Sequence, residues 1–367
     1  MKVLHLNAGN ETGGGMVHIL SLLKELKREE FVLGLLEKGV FEEKARAAGI
    51  VTKTFEQSSR YDLSVLFQII SFIKREKINI LHTHGARANL YGYFLKKFTS
   101  VTWMTTVHSD PRNDFLGRGI KGRLFTTLNL SVLKKPDHYF AISKRFTDMM
   151  VEFGVNPKDI TTIFNGIDFN APLNTGLCRE DITLSTNDFV LLMVARLDPV
   201  KRHELAIEAV EEVIKVHPEI KLLLVGDGPL KPEIQNLIQQ KGLEQSIQLL
   251  GHRDDVDAFY NLADITLLTS QTESFPLVLL ESARTNTPVI TTDVGGVRDM
   301  IPDPSYGFIV HGNEKAEIVS LIVQAIEMKK DGQLKNMGKT FRGYVSQHYS
   351  LQSFVDSIYR TYKRFNK

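Results

Sequence analysis

Residues 265–293 read ITLLTSQTESFPLVLLESARTNTPVITTD, and this stretch decides the fold class. The apolar runs ITLLTS and PVITTD predict two buried strands, and the segment between them predicts a helix. Strands that are buried on both faces and joined through a helix are typical of parallel sheets. The stretch therefore predicts an α/β fold with a parallel sheet.

The same alternation of apolar runs and amphipathic stretches continues along the whole chain. Further buried strands are predicted at KVLHLNA, FVLGLLE, INILHTH, VTWMTTVH and HYFAIS in the first half and at FVLLMVA, IKLLLVGDG and SIQLLGH in the second. Helices are predicted at MVHILSLLKELKR and LSVLFQIISFIKREK. The chain is therefore predicted to form two doubly wound parallel-sheet domains.

A polar segment rich in turn-forming residues follows Asp168 and places the domain boundary there. We therefore expect a first domain over residues 1–168 and a second over 169–347. A C-terminal helix over about 348–367 is a candidate to pack back on the first domain.

Composition is that of a globular protein, with 43% hydrophobic and 24% charged residues in 367. The start MKVLHLNAG resembles a buried strand rather than a signal peptide, and no apolar run is long enough to span a membrane, so a cytoplasmic location is expected. Cys178 is the single cysteine, which excludes an intramolecular disulfide and a thiolate metal cluster.

Charge is distributed unevenly between the two halves. Residues 1–168 contain 24 Lys and Arg against 17 Asp and Glu, a net +7, and the remainder has 21 against 26, a net −5. This asymmetry indicates an anionic partner for the first half. Nucleic acid is not indicated, because the basic residues are scattered and form no recognisable binding module.

Glu273 and Glu281 flank the start of the predicted helix in the opening stretch. Pro276 is favoured at the first helical position, which places Glu273 in the loop before the helix and Glu281 about two turns into it. The unpaired amides of the first turn lie between the two carboxylates and suit a phosphate. A ligand with an anionic middle and hydroxyl-rich ends, such as a nucleotide diphosphate sugar, fits this arrangement.

Three other loops follow predicted strands, where ligands bind in such domains. Gly13, Gly14 and Gly15 precede a helix and would let the backbone approach a phosphate or a sugar, although a triple glycine is also a simple flexible turn. His108 ends a strand and would donate to a sugar hydroxyl or to developing charge, or serve only structurally. Arg196 and Lys201 would converge on a diphosphate, or form a solvated surface pair.

Two further patterns are interpreted as structural. His82 and His84 share one strand face but have no evident third ligand, so no metal site is assigned to them. Asp255 and Asp257 form a D-x-D sequence, yet they lie where a helix begins and are interpreted as capping acids.

The motifs together resemble those of the retaining, metal-independent glycosyltransferases of the GT-B fold, family 4 (glycosyl transferases group 1). Gly13–Gly15, His108, VARLDPVK, LVGDGPL, LGHRDDV and the two glutamates occur in the order and at the spacing of that family, over nearly the whole chain. The resemblance implies two Rossmann-like, doubly wound parallel-sheet domains that face a cleft. The first would bind the acceptor and the second the nucleotide sugar, and no cofactor or metal is implied.

The resemblance also implies a role for each matching residue. Arg196 and Lys201 would hold the diphosphate, Glu281 the ribose, and Glu273 the transferred sugar. The other implied contacts are His108 to the sugar, Gly14 and Gly15 to phosphate or acceptor, and the His252 and Arg253 loop to the base. The helix-terminal amides of the segment from Phe275 to Leu277 and Val278 would bind phosphate, although Pro276 within it has no N–H and removes one amide from the site. The chain departs from the family's frequent glycines at Ala195, Arg202 and Pro276.

The resulting hypothesis is a retaining transfer of a hexose from a nucleotide diphosphate sugar to an acceptor hydroxyl in bacterial cell-envelope polysaccharide or glycolipid synthesis. A UDP-sugar is favoured by family frequency alone. Two alternatives are a sugar-nucleotide 2-epimerase and a catalytically silent sugar-binding or structural protein on the same fold. Neither is favoured by a residue pattern, since no extra acid-base pair is identified and every charged motif residue is retained.

Residues 118–135, RGIKGRLFTTLNLSVLKK, combine apolar steps of four with flanking cations. Ile120, Leu124, Leu128 and Val132 lie beside Lys121, Arg123, Lys134 and Lys135. This pattern predicts either peripheral contact with an anionic membrane, at its inner face, or an ordinary helix packed on a sheet.

Overall fold

A computed structural model of the chain describes residues 1–10, 13–57, 62, 64–112, 119–312 and 314–366. The strands are β1 Val3–Asn7, β2 Phe31–Leu35, β3 Thr52–Thr54, β4 Ile80–His84, β5 Thr102–Val107, β6 His138–Ala141, β7 Ile160–Thr162, β8 Phe189–Val194, β9 Ile220–Val225, β10 Ile247–Gly251, β11 Ile265–Leu268, β12 Val289–Thr292 and β13 Phe308–Val310.

Helices alternate with these strands along the chain. They are α1 Gly14–Glu25, α2 Val40–Ala47, α3 Ser64–Glu76, α4 Ala86–Phe98, α5 Gly119–Val132, α6 Lys144–Glu152, α7 His203–Val213, α8 Lys231–Gln240, α9 Val256–Leu262, α10 Leu277–Arg284, α11 Val297–Met300, α12 Glu314–Lys330, α13 Gln333–His348 and α14 Leu351–Phe365. Short 3₁₀ turns lie at Pro157–Asp159, Glu180–Ile182 and Pro199–Lys201.

The chain divides into two compact units. Unit 1 comprises Met1–Asn165 and Leu351–Lys367, and unit 2 comprises Gly166–Ser350. The division lies three residues before the predicted boundary at Asp168, and α14 belongs to unit 1 although it ends the chain. A parallel bridge between Ile167 and Ser350 lies at the edge of unit 2, where the chain enters and leaves it.

Each unit is built on one parallel sheet, so the predicted α/β fold is confirmed. The strand order is β3-β2-β1-β4-β5-β6-β7 in unit 1 and β10-β9-β8-β11-β12-β13 in unit 2. Every strand pairing in the described residues is parallel. In each unit the order reverses beside the first strand, which is the position where ligands bind in doubly wound sheets.

Each strand that the sequence predicts is present, and the structure adds β3, β7 and β13. Each of these additional strands has three residues and lies at a sheet edge. Strands this short carry too little periodicity to be recognised, and β3 (TKT) has no apolar residue at all. Edge strands are paired on one side only, so they need less apolar sequence than central strands.

Apolar clusters cover both faces of each sheet. In unit 1, one face of the sheet packs against α1, α2, α6 and α14, and the other packs against α3 and α4. In unit 2, the larger cluster joins the sheet to α7, α8 and α12, and the smaller one joins it to α9. This burial on both faces explains why the central strands are continuous apolar runs. None of the helices in the described residues is long and apolar enough to cross a membrane.

Unit 1 also buries several histidines in neutral form. Burial lowers the pKa of His5 to about 3 and the pKa of His18 and His138 to about 4. The nearby Arg364 guanidinium also lowers the pKa of His138. His138 is held through a 2.8 Å hydrogen bond between its Nε2 and Thr161 Oγ1.

We therefore predict that acid destabilises unit 1 below about pH 6.5. Between that pH and about 4, the unfolded chain binds a proton at His138 that the folded chain does not. Each such histidine should make the free energy of unfolding fall by about 1.4 kcal/mol per pH unit as the pH decreases. Denaturant unfolding at a series of pH values measures this slope.

His138→Gln should make the slope shallower, because one of these protons is no longer taken up on unfolding. Thr161→Val is the matched control, since it removes the hydrogen bond to His138 but keeps the buried imidazole. It should lower stability without changing the slope. An unchanged slope in His138→Gln would contradict the assignment of His138 as a buried neutral histidine.

Candidate active site

The loops after β8 and β11 in unit 2 bring Lys201 and Glu273 into contact. Lys201 Nζ lies 2.5 Å from Glu273 Oε1, and the two side chains are 22% and 14% exposed. Ser270 Oγ donates to the same carboxylate oxygen at 2.7 Å. Among the described residues, both hydrogen bonds of Glu273 therefore fall on Oε1.

Backbone contacts hold these two loops together. Gln271 N–H donates to the Val200 carbonyl at 2.8 Å, and Thr269 Oγ1 donates to the Lys201 carbonyl at 2.9 Å. Lys201 ends a 3₁₀ turn and is followed by Arg202, which adopts the left-handed conformation at φ 53° before α7 begins at His203. This turn orients the Lys201 side chain toward the loop that contains Glu273.

Arg196 follows β8 as predicted but has a different partner. Its Nε lies 2.9 Å from Asp198 Oδ2, and its side chain is 65% exposed. Each of the two predicted phosphate-binding cations therefore has its own carboxylate partner. Lys201 pairs with Glu273, and Arg196 pairs with Asp198. Sequence reasoning identified both cations and did not predict either ion pair.

Close backbone contacts explain two of the glycines beside this site. Gly295, in the turn after β12, adopts φ 56°, and a Cβ atom there would lie 2.6 Å from the Glu273 carbonyl oxygen. Gly226, after β9, has φ 148°, and a Cβ there would lie 1.9 Å from the Ala195 carbonyl oxygen. Larger residues would push these turns away from the loops that carry Glu273 and Arg196.

The helix after Glu273 differs from the prediction by one residue. Pro276 was expected at the first helical position, but its ψ of 98° is not helical, and it caps the helix that begins at Leu277. The first helical bond runs from Leu279 N–H to the Pro276 carbonyl at 3.1 Å. The amides of Leu277 and Val278 precede this bond, so α10 offers them no internal acceptor. Phe275, which directly precedes Pro276, is buried against the ring of Tyr349.

Glu281 lies in the second turn of α10 and accepts a 3.1 Å hydrogen bond from the Tyr260 hydroxyl. Burial raises the pKa of Glu281, and the Tyr260 hydrogen bond opposes this increase. Burial also raises the pKa of Tyr260, so the phenol keeps its proton and donates. The carboxylate is therefore oriented by a group that the sequence analysis did not identify.

The loop after β10 carries the remaining predicted residues of unit 2. His252 is exposed, and its Nε2 lies 3.4 Å from Asp254 Oδ1. Arg253 forms a two-bond ion pair with Asp255, with N–O distances of 2.8 and 2.7 Å. Asp255 occupies the N-cap position of α9 but makes no side-chain cap bond, because its carboxylate binds Arg253. Asp257, in the first turn, pairs with Arg284.

In unit 1, Gly14 and Gly15 form the start of α1, and Gly13 caps it. A Cβ atom added to Gly13 or Gly14 would meet no atom of the described residues within 4 Å, and neither glycine has a positive φ. Packing among the described residues and backbone conformation therefore do not require glycine at these two positions. A ligand that approaches the backbone here would account for them.

His108 follows β5 directly and is half-buried. Its Nε2 lies 3.0 Å from His84 Nδ1, and burial lowers its pKa well below the usual value. The ring of His18 meets it edge-on at 4.6 Å between centroids. His108 is therefore part of a buried cluster of histidines rather than an isolated side chain.

The structure places a third histidine beside His82 and His84, which the sequence analysis did not identify. A third histidine, His5 on β1, lies opposite His82 in the parallel register, and the ring nitrogens of these three lie within 4.8 Å of one another. A second group of His18, His84 and His108 meets the same distance. Such groups have the donor atoms for an imidazole-binding metal. Hydrogen bonds between the rings and to Tyr362, Thr106 and Asn165 already use most of these nitrogens.

Two family descriptions match the chain. Residues 12–171 match Glycosyltransferase Family 4, and residues 177–343 match Glycosyl transferases group 1. The chain belongs to the family 4 glycosyltransferases. Family membership agrees with the two parallel sheets, which form the two Rossmann-like domains of the GT-B fold.

Curated relatives of this glycosyltransferase share about a quarter of its residues. The N-acetyl-alpha-D-glucosaminyl L-malate synthase of Bacillus anthracis is 28% identical, over 82% of this chain and 78% of that protein. The UDP-Gal:alpha-D-GlcNAc-diphosphoundecaprenol alpha-1,3-galactosyltransferase of Escherichia coli is 25% identical, over 98% of this chain and 95% of that protein.

A solved structure has the same fold. Anabaena HepE in complex with UDP superposes with a TM-score of 0.87 at 19% identity, over 99% of this chain and all of that one. At this level of identity the likeness concerns the fold alone.

Proposed function

We propose that this glycosyltransferase moves a hexose from a UDP-sugar to an acceptor hydroxyl, with retention at the anomeric carbon and without a metal, in bacterial cell-envelope polysaccharide or glycolipid synthesis. The contact between Lys201 and Glu273 supports the proposal, because a cation that could bind phosphate lies beside a carboxylate that could accept from sugar hydroxyls. The E. coli relative is named for UDP-galactose as donor and for a lipid diphosphate acceptor, which supports both substrate classes.

The diphosphate would bind among Lys201, Arg196 and the amides of Leu277 and Val278. Lys201 has three N–H donors and uses one for Glu273, so two are left for phosphate oxygens. The amides at the start of α10 add donors and the partial positive charge of the helix end. These groups would stabilise the negative charge that grows on the leaving diphosphate.

The sugar and the ribose would bind at the two carboxylates. Both bonds to Glu273 fall on Oε1, which leaves Oε2 to accept from hydroxyls of the transferred sugar. Glu281, oriented by Tyr260, would accept from the ribose hydroxyls. His108, Gly14, Gly15 and the loop of His252 and Arg253 keep the contacts that the family resemblance implies, to the sugar, to phosphate or acceptor, and to the base.

The proposed transfer needs no covalent intermediate between the sugar and the protein. The bond between the anomeric carbon and the diphosphate oxygen breaks, and the acceptor oxygen bonds to the same face of that carbon. The acceptor proton passes to the leaving phosphate oxygen. Alignment of the anomeric carbon with the acceptor oxygen is then the main contribution of Glu273.

Incubation of the protein with radiolabelled UDP-glucose, UDP-galactose and UDP-N-acetylglucosamine tests the activity. We expect transfer, or slow hydrolysis in the absence of acceptor, with the α-anomer as the first sugar product seen by NMR. EDTA should leave the rate unchanged. Formation of an epimer would identify a 2-epimerase, and binding without turnover a silent protein. Activity that stops in EDTA and returns with magnesium or manganese would contradict metal independence.

Loss of each glutamate should affect a different step. Glu281→Ala should weaken binding of donor and free UDP alike by about 10-fold to 150-fold, the value of one hydrogen bond to a charged group, and change turnover less. Glu273→Ala should instead reduce turnover strongly, because the sugar loses its alignment. Free UDP should bind this variant at least as tightly as the wild type, since Lys201 is released from its ion pair.

Calorimetry with UDP and steady-state kinetics measure these effects. Glu212→Ala is the matched control, because it removes a carboxylate near the far end of α7 that pairs with Lys215. It should change neither quantity. Equal loss of UDP affinity in the Glu273 and Glu281 variants would refute the division of the ligand between the two carboxylates.

We also propose that α5 contacts an anionic membrane where a lipid-linked acceptor resides. Leu124 and Leu128 are 69% and 43% exposed, and Phe125 is exposed beside them. The basic residues Lys121, Arg123, Lys134 and Lys135 are exposed as well. Val132 was predicted on this apolar face, but it is buried in the core of unit 1. Arg118 and the side chain of Ile120 lie outside the described residues.

Flotation with liposomes rich in phosphatidylglycerol, at low salt, measures the contact. The double variant Leu124→Gln, Leu128→Gln should float less than the wild type, because it loses apolar area that inserts among the lipids. Val216→Gln is the control, since it removes an apolar side chain that is also exposed, in unit 2. No flotation of the wild type, or equal flotation of all three proteins, would contradict the membrane contact.

A further inference from the structure

A continuous chain of hydrogen bonds runs through the core of unit 1 and ends at His108. We call it the histidine chain, and it comprises Thr106, His82, Tyr362, His5, His84 and His108. The successive distances are 2.7 Å from Thr106 Oγ1 to His82 Nε2, 2.5 Å from His82 Nδ1 to Tyr362 OH, 3.1 Å from Tyr362 OH to His5 Nε2, 3.0 Å from His5 Nδ1 to His84 Nε2, and 3.0 Å from His84 Nδ1 to His108 Nε2.

The fold determines which residues form the histidine chain, because central strands and the last helix supply them. His5, His82 and His84 lie on the central strands β1 and β4, on the sheet face that α1 and α14 cover. Tyr362 is supplied by α14, and its hydroxyl is fully buried between two imidazoles. Except for His108, every member is buried.

Each bond in the chain holds one proton, so the bonds are not independent. A neutral imidazole has one N–H donor and one unprotonated acceptor, and a phenol has one proton to donate. Burial lowers the pKa of His5 to about 3 and the pKa values of His82, His84 and His108 well below normal, so all four rings are neutral at pH 7. Once the direction of the Tyr362 proton is chosen, the tautomer of every histidine follows.

The single phenol proton of Tyr362 can be donated in two directions, and each direction gives one arrangement of protons. If Tyr362 donates to His5, the protons point toward His108, which then carries its own proton on Nδ1. If Tyr362 donates to His82, then His5 donates to Tyr362, His84 donates to His5, and His108 donates to His84 from Nε2. In this second arrangement His108 Nδ1 is unprotonated.

Bond lengths favour the second arrangement. An O–H donor makes shorter hydrogen bonds than an N–H donor, and for oxygen acceptors the modes lie near 2.7 and 2.9 Å respectively. Tyr362 OH lies 2.5 Å from His82 and 3.1 Å from His5. The short contact therefore corresponds to the phenol proton and the long contact to an N–H of His5.

We propose that Tyr362 sets the tautomer of His108, so that His108 presents an unprotonated Nδ1 that accepts a hydrogen bond from a hydroxyl of the transferred sugar. The sugar contact rests on the proposed function, whereas the tautomer rests on the histidine chain alone. Tyr362 is thus a positioning residue. This assignment reverses the sequence-based expectation that His108 donates to the sugar.

Long-range ¹H–¹⁵N NMR of protein labelled at histidine tests the tautomer without any ligand. We expect His108 Nδ1 to resonate as an unprotonated, pyridine-type nitrogen and Nε2 as a protonated, pyrrole-type nitrogen, with assignment through His108→Gln. The opposite pattern at His108 would overturn the proposal. This wild-type measurement stands even if a variant at position 362 fails to fold.

Tyr362→Phe tests the control of His108 from a distance. Without the phenol proton, neither direction of the hydrogen bonds in the histidine chain is favoured. The ¹⁵N resonances of His108 should therefore shift toward the average of the two tautomers. Tyr359→Phe is the matched control, because it removes a phenol on the same helix that binds Glu30 and lies outside the histidine chain. Unchanged His108 resonances in a folded Tyr362→Phe would overturn the proposal.

Kinetics with UDP-glucose and its deoxyfluoro analogues test the sugar contact, because fluorine cannot donate a hydrogen bond. Replacement of the contacted hydroxyl slows hydrolysis in both proteins, because fluorine withdraws electrons from the reacting carbon. The loss should be about 2-fold to 12-fold larger in the wild type than in His108→Phe, the value of one neutral hydrogen bond. Tyr362→Phe should reduce turnover by a similar factor and leave UDP affinity unchanged. Additive losses in His108→Phe would overturn the contact.

These measurements separate the two proposals. Absence of hydrolysis with every UDP-sugar, together with the expected His108 tautomer, would refute the proposed function and leave the histidine chain intact. Hydrolysis with the opposite tautomer would refute the role of Tyr362 and leave the proposed function intact.

Discussion

Parallel pairing of every described strand is the constraint on which the candidate site depends. The carboxyl ends of parallel strands lie at one edge of a sheet, so the loops that follow them are neighbours even when they are distant in sequence. The loops after β8 and β11 illustrate this, because those strands pair directly and their loops carry Lys201 and Glu273. A mixed sheet would send one of these loops to the opposite edge.

Both predicted phosphate-binding cations of unit 2 are paired with carboxylates before any ligand arrives. Lys201 is paired with Glu273, and Arg196 is paired with Asp198. An unpaired cation that is partly buried would cost free energy. Each carboxylate therefore stabilises a cation in the free protein, and a diphosphate would share or replace that partner. Exposed Arg196 is able to exchange partners at lower cost than half-buried Lys201.

Sequence patterns predicted the central strands and most of the charged groups for a physical reason. A strand buried on both faces must be apolar over its whole length, so it is recognisable in the sequence. A helix that begins after such a strand has unpaired amides in its first turn, and Pro276 marks that start in the sequence, which also placed Glu281 on the helix. Edge strands such as β3 lack that requirement. The groups that orient the site were not predictable, because Tyr260 and Ser270 act through contacts that depend on how α9 and the β11 loop pack.

The same limit applies more strongly to the buried histidines. His82 and His84 alone indicate only a shared strand face, and the partners that decide their chemistry come from β1 and from α14, with Tyr362 280 residues away from His82. A buried polar group must be satisfied, and a neutral imidazole satisfies one donor and one acceptor at once. Linking such rings in series therefore couples the protonation of all of them. The last helix of the chain is thereby connected to the residue at the end of β5, although no side chain of that helix has to touch it.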